Sequence, residues 1–156
     1  MYKVLLVDDE ALIREAISEN TRWKELGYEL MGTCKNGREA MERLDQEEAD
    51  LVLTDICMPY VDGMELTRYL YEHHRGVKVI IISGYDDFEY AKTAVKYQVM
   101  DYILKPITAK ELAQTLTRVK EKLDEERFQK SDMKRIRGAY MSNLPILRGR
   151  FLNSLL

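Results

Sequence analysis

Lys3-Val4-Leu5-Leu6-Val7 runs straight into Asp8-Asp9, and the same device recurs three times along the chain. Leu51-Val52-Leu53-Thr54 ends at Asp55, Val79-Ile80-Ile81-Ile82 at Ser83, and Tyr102-Ile103-Leu104 at Lys105. Strands covered on both faces of a parallel sheet read as continuous Val/Ile/Leu runs, because neither face meets water. In such sheets ligands bind beyond the carboxyl ends of the strands. Three carboxylates, a hydroxyl and an ammonium would then converge on one edge, a set suited to a divalent cation and a phosphoryl group.

Outward from these runs, amphipathic stretches alternate with the strands. Ala11–Arg22 carries Leu12, Ile13, Ala16 and Ile17 at helical spacing, and Gly27–Cys34 reads as a second strand. Asn36-Gly37 marks a turn before the helix Arg38–Gln46, and Asp62-Gly63 precedes the helix Met64–His74. Phe88–Gln98 is a further short helix, and a long helical pattern starts at Thr108. A strand–helix alternation repeated five times predicts an α/β fold: a doubly wound, five-stranded parallel sheet flanked by helices, with right-handed crossovers.

Composition bounds the rest. A chain of 156 residues with 46% hydrophobic and 33% charged side chains suits one globular domain plus an appendage. No apolar run approaches the roughly 18–20 residues that span a bilayer. Met1–Val7 leads directly into Asp8-Asp9-Glu10 without the charged-then-apolar pattern of a signal segment. Cys34 and Cys57 lack metal-ligand spacing and read as free thiols. A cytoplasmic protein with no membrane contact is expected.

Charge is unevenly distributed. Residues 118–156 hold ten basic and five acidic side chains, +5, which leaves −8 of the total −3 on residues 1–117. Nucleic acid would be repelled by that acidic part. In the tail, Leu112, Leu116, Val119 and Leu123 keep one helix face apolar, but the same spacing continues through Glu126, Lys130 and Arg137. A coiled coil needs apolar residues at both core positions over several heptads, so a dimerising coil and a solvated linker helix both remain open. Pro145 should end the helix. The apolar Ile146, Leu147, Phe151, Leu155 and Leu156 suggest a fragment of a longer protein.

The convergent residues define a chemistry. Carboxylates at close range repel unless a cation intervenes, and Mg2+ takes oxygen ligands from one or two carboxylates, water and phosphate. Asp8, Asp9 and Asp55 suit that role, with the Cys57 backbone carbonyl as a further ligand. An Asp carboxylate beside Mg2+ is also a nucleophile toward phosphorus. Lys105 would neutralise the transferring oxygens, and Ser83 would donate one hydrogen bond to them. Singly, Asp8-Asp9 and Asp55 read as helix caps, Ser83-Gly84 as a turn and Lys105-Pro106 as a loop. Their common place at strand ends favours the phosphoacceptor reading.

Val7-Asp8-Asp9-Glu10, Thr54-Asp55-Ile56-Cys57-Met58-Pro59 with Asp62-Gly63, Ile82-Ser83-Gly84 and Tyr102-Ile103-Leu104-Lys105-Pro106 together resemble the motif set of bacterial response regulator receiver domains. The resemblance covers residues 2 to about 120 and implies a CheY-like fold with strand order 2-1-3-4-5. It implies that Asp55 takes a phosphoryl group from a sensor histidine kinase and that Asp9, with Asp8, binds Mg2+. Ser83 and Tyr102 become a conformational switch pair, Lys105 a phosphate contact, and Lys105-Pro106 a cis bond.

Ile13-Arg14, Trp23, Leu26-Gly27, Asn36-Gly37-Arg38-Glu39-Ala40 and Ser83-Gly84-Tyr85-Asp86-Asp87-Phe88-Glu89-Tyr90-Ala91 are further similar to YesN-type regulators. That likeness implies an AraC-type DNA-binding region beyond Leu156, since no helix-turn-helix pattern lies within the chain. Residues 1–120 then form the receiver, and 121–156 a helical linker with the start of a truncated downstream region. By the same resemblance, Cys57 and Tyr85 stand where they influence the phosphoryl lifetime, and a bulky Tyr85 would slow self-dephosphorylation.

The implied output is a homodimer through the Phe88–Leu112 face and the helical tail, with Tyr90, Tyr97, Tyr102 and Leu112 supplying apolar surface. The same tyrosines alternatively cover the core. Two rival functions are weighed: a Mg2+-dependent phosphatase with an aspartyl nucleophile, and a phosphorylation-independent interaction module. The phosphatase would place a general-acid Asp where Cys57 stands. The module would have lost Asp55, Lys105 or the acid pair. The expectation is therefore a phosphoacceptor that catalyses only its own phosphorylation and dephosphorylation, and is not an enzyme on external substrates.

Overall fold

The structure, a computed structural model, describes residues 1–84 and 88–143. Elements follow in the order β1 (Tyr2–Val7), α1 (Ala11–Asn20), α2 (Trp23–Leu26), β2 (Tyr28–Cys34), α3 (Gly37–Gln46) and β3 (Leu51–Asp55). Then come α4 (Gly63–His73), β4 (Lys78–Ser83), α5 (Phe88–Lys96), β5 (Asp101–Leu104) and α6 (Ala109–Asn143). The strands form one five-stranded sheet in the order β2-β1-β3-β4-β5, all neighbours parallel, as the resemblance implied.

The apolar runs of β1, β3 and β4 are buried on both faces, whereas β5, at the edge of the sheet, is only partly buried and leaves Leu104 exposed. Leu5, Val7, Val52 and Ile81 join Ala40 and Leu44 of α3 and Leu66 and Leu70 of α4 in one cluster. The alternate residues Val4, Leu6, Leu53 and Ile80 are also buried, facing the other way. Each large side chain so removed from water contributes roughly 1.5–3 kcal/mol. Tyr28, fully buried on β2, donates its hydroxyl to the Leu116 carbonyl of α6 at 2.6 Å. That bond satisfies a phenol that would otherwise be costly to bury.

Helix starts follow local chemistry. Asn36 caps α3 by accepting the Glu39 N–H at 2.8 Å, and Asp62 caps α4 by accepting the Glu65 N–H at 2.8 Å. The first helix departs from the sequence expectation of Ala11–Arg22. It stops at Asn20, Thr21 is extended, and Trp23–Leu26 makes a separate turn. Burial of Trp23, whose indole N–H donates to the Ser18 carbonyl at 3.1 Å, bends the chain there. Gly27 closes that turn at φ 90, a left-handed conformation that glycine adopts without strain, so β2 begins at Tyr28.

The chain divides into two compact units, Met1–Thr117 and a second starting at Arg118. In the second, α6 continues to Asn143, and Lys120 Nζ pairs with Asp124 Oδ2 at 2.9 Å, a solvated i,i+4 arrangement. Pro145 and the apolar residues after it lie outside the described residues, as does Tyr85. Leu112, expected to contribute outer apolar surface, is only 2% exposed and belongs to the core. Tyr90 and Tyr102 are partly buried against the apolar cluster, and the Tyr97 ring lies 5.6 Å from that of Tyr71.

Candidate functional site

Parallel register sets the site. Val7 pairs with Thr54, Asp55 with Ile82, and Ser83 with Leu104, so β1, β3, β4 and β5 end side by side. Asp8, Asp55, Ser83 and Lys105 therefore emerge at one edge. Lys105 Nζ lies 3.2 Å from Asp8 Oδ2 and 3.3 Å from Asp55 Oδ2, bridging the two carboxylates across the sheet. The Lys105-Pro106 bond is cis, as the resemblance implied.

Each acid is held by short-range geometry. The Ile56 N–H donates to Asp55 Oδ1 at 2.8 Å, and the Thr54 hydroxyl to the Asp55 carbonyl at 2.9 Å. The loop after β3 is pinned by the Gly63 N–H, which donates to the Ile56 carbonyl at 2.8 Å. Gly63 packs so closely on Asp55 that an added Cβ would meet the Asp55 carbonyl oxygen. Only glycine allows that approach.

Asp8 and Asp55 are buried, while Asp9 and Glu10 are exposed. Acceptor atoms of all four lie within 4.8 Å of one another. Burial raises the Asp55 carboxyl above its ordinary pKa; Lys105 opposes that shift and the Asp8 charge adds to it. Burial also works against the Lys105 charge, but Asp55 and Asp8 outweigh it and raise the ammonium pKa. One ammonium thus faces two buried carboxylates with two more at the rim. A hard, oxygen-only donor set short of positive charge fits Mg2+ better than a soft metal.

The remaining expected residues are distributed around this centre. Ser83 is fully buried, and its carbonyl accepts the Lys105 N–H at 2.7 Å. Tyr102 sits two residues before the end of β5, opposite Ile81, and packs partly buried on the apolar cluster. Cys57 is exposed in the loop after Asp55; desolvation and the Asp55, Asp62 and Asp9 charges raise its thiol pKa. Two participants were not singled out from sequence. Glu10 belongs to the acid cluster, its Oε1 3.9 Å from Lys105 Nζ. Arg14, one turn into α1, donates to the Asp8 carbonyl at 2.7 Å. Glu10 was legible as the third acid of the run; Arg14 stood in the sequence only within the Ile13-Arg14 pair similar to YesN-type regulators, and nothing local pointed to the Asp8 carbonyl.

Comparison with known proteins agrees with this fold. Residues 4–117 match the family model of the response regulator receiver domain. The chain is 39% identical over 119 residues to the transcriptional regulatory protein YesN of Bacillus subtilis (strain 168), covering 76% of this chain and 32% of YesN. It is 38% identical over 129 residues to the transcriptional regulatory protein HptR of Staphylococcus aureus, covering 83% of this chain and 50% of HptR. The chain therefore spans half or less of the length of these curated relatives. The REC domain of AraT, a response regulator from Geobacillus stearothermophilus, superposes with TM-score 0.76 at 40% identity, covering 81% of this chain and 98% of that one. No helix among the described residues is long and apolar enough to cross a membrane. With a CheY-like sheet and the acids and lysine gathered at its carboxyl edge, the chain belongs to the response regulator receiver domain family and carries the receiver of a two-component response regulator.

Proposed function

We propose that this receiver stores a phosphoryl group on Asp55, taken from a sensor histidine kinase in a Mg2+-dependent reaction. The observation that carries the reading is the Lys105 ammonium lying 3.2 and 3.3 Å from the buried Asp8 and Asp55 carboxylates. Asp8, Asp9 and Asp55, with the Cys57 carbonyl, would hold the metal. When bound, Mg2+ would neutralise charge on the phosphoryl oxygens. The Ile56 N–H holds Asp55 Oδ1 and so orients the carboxylate. An Asp55 oxygen attacks phosphorus, the bond to the donor's leaving group breaks with its electron pair on that group, and an acyl phosphate results. Lys105 then pairs with the new phosphoryl oxygens.

The phosphoryl group adds about −1.5 to −2 charges and strong acceptors. Ser83 moves to donate to it, and Tyr102 moves inward to fill the space left, a two-state element biased by local charge. The altered α5–β5 surface and the helical tail then favour a homodimer, which would align DNA-binding regions outside this chain. In this reading the protein is cytoplasmic and acts on no external phosphoester, Cys57 standing where a phosphatase of this type would need an acid.

The test is incubation of the chain with acetyl phosphate and Mg2+, followed by intact-mass measurement. The wild-type chain should gain one phosphoryl group, while Asp55→Asn or added EDTA should abolish the gain. A gain that survives in Asp55→Asn, or none in the wild type, would overturn the reading. Sedimentation with and without beryllofluoride tests the dimer separately, and an unchanged mass removes that part.

A further inference from the structure

Asp8 is fixed at every polar atom. Its N–H donates to the Cys34 carbonyl at 3.1 Å, and its Oδ1 accepts the Glu10 N–H at 3.0 Å. Its Oδ2 accepts Lys105 Nζ at 3.2 Å, and its carbonyl accepts Arg14 Nη1 at 2.7 Å. Three of these restraints come from the sheet, the turn itself or the lysine already placed in the site. Arg14 is the exception, because it reaches back from α1 to the turn between β1 and the helix.

That turn carries both Asp8 and Asp9, so its conformation sets where two acids of the cluster point. A hydrogen bond from a charged donor to a carbonyl on a nearly buried residue is roughly twice as strong as a neutral one. Without it the carbonyl loses its partner in a place with little water. The planar guanidinium also spans a distance and holds a direction that a lysine ammonium on a flexible stem does not.

We propose that Arg14 is a positioning residue for the metal site: it locks the Asp8–Asp9 turn in the conformation that accepts Mg2+. The proposal rests on the Mg2+ role proposed for these acids. A second consequence of the Arg14 charge runs the other way, since a cation near the acids repels Mg2+. The two effects predict opposite results when the charge and the hydrogen bond are removed together, and the experiment separates them.

Mg2+ binding to the full chain is measured by calorimetry for wild type, Arg14→Met and Arg14→Lys, with thermal unfolding as a check on folding. If Arg14 positions the turn, Arg14→Met weakens Mg2+ binding by about tenfold, the lower end of what partners behind a metal ligand are worth. Arg14→Lys, which keeps the charge and one donor, recovers part of the loss. Phosphorylation by acetyl phosphate should then need more Mg2+ while reaching the wild-type rate at saturation, a split that general destabilisation does not produce. Equal or tighter Mg2+ binding by a folded Arg14→Met overturns the proposal. Should Arg14→Met not fold, Arg14→Lys decides, binding as tight as wild type being the result that overturns it. Absence of Mg2+ binding in the wild-type chain would instead defeat the metal reading beneath it.

Discussion

Asp55 and Asp45 are two aspartates in one domain whose surroundings push them in opposite directions. Asp45 lies on α3 at the surface, where its carboxylate accepts the Tyr69 hydroxyl at 2.7 Å and meets His74 Nε2 at 2.9 Å. Those hydrogen bonds, Tyr69 first and then His74, hold its pKa below the ordinary value. Asp55 is buried at the sheet edge, and burial together with the Asp8 charge lifts its pKa in spite of Lys105. Asp45 is a satisfied charge that ties α3 to the end of α4. Asp55 is a charge kept short of compensation, which is what a cation or a phosphoryl group would relieve.

The sharpest break in this comparison is chemical. Asp55→Asn should abolish phosphorylation by acetyl phosphate completely, whereas Asp45→Asn should leave its rate unchanged, both read by intact mass. An effect of Asp45→Asn as large as that of Asp55→Asn would erase the distinction. Next in size is Gly63→Ala, whose added Cβ runs into the Asp55 carbonyl. Forcing that contact should cost about 1–3 kcal/mol in urea unfolding and slow phosphorylation, because the end of β3 that bears Asp55 must shift.

The smallest expected effects are the pH dependences, which differ in sign. For Asp55 the folded pKa lies above the unfolded one, so the native state binds the proton more readily and stability increases as pH falls through that window. Asp55→Asn should therefore raise the melting temperature near neutral pH, and the gain should fade on acidification. For Asp45 the folded pKa is depressed, so its contribution is present above the unfolded value and is lost as pH falls through the folded one. Asp45→Asn should lower the melting temperature slightly near neutral pH and make no difference at strongly acid pH. Melting curves of the two variants across pH would collapse the comparison if both moved in the same direction.

Much of this is legible in the amino-acid sequence. The runs ending at Asp8, Asp55 and Ser83 are β1, β3 and β4, because a strand buried on both faces is apolar throughout and leaves its polar residues at its end; the run ending at Lys105 is β5, an edge strand that is only partly buried. Asn36 was readable as a turn residue and Asp62 as the residue before a helix, and their capping bonds close within three residues. The break of the first helix at Asn20 was not readable. No glycine or proline stops the helix there, although its apolar spacing ends at Ile17, and the packing of Trp23 sets the separate turn that follows. Leu112 misled for a similar reason: an apolar side chain on a helix reads the same whether it faces core or partner.

By itself, the amino-acid sequence determined the strand ends, the sheet type and the identity of the acids and lysine, because those depend on local polarity and on motifs contiguous in the chain. The tertiary structure alone decided that Lys105 bridges Asp8 and Asp55, that Glu10 joins the acid cluster, and that Arg14 reaches the Asp8 carbonyl. It also decided that the surroundings of Asp45 lower its pKa while those of Asp55 raise it. A pKa and a bridging distance are set by what surrounds a group in space. Asp8 and Lys105 stand 97 residues apart in the chain and meet only where parallel strands end together.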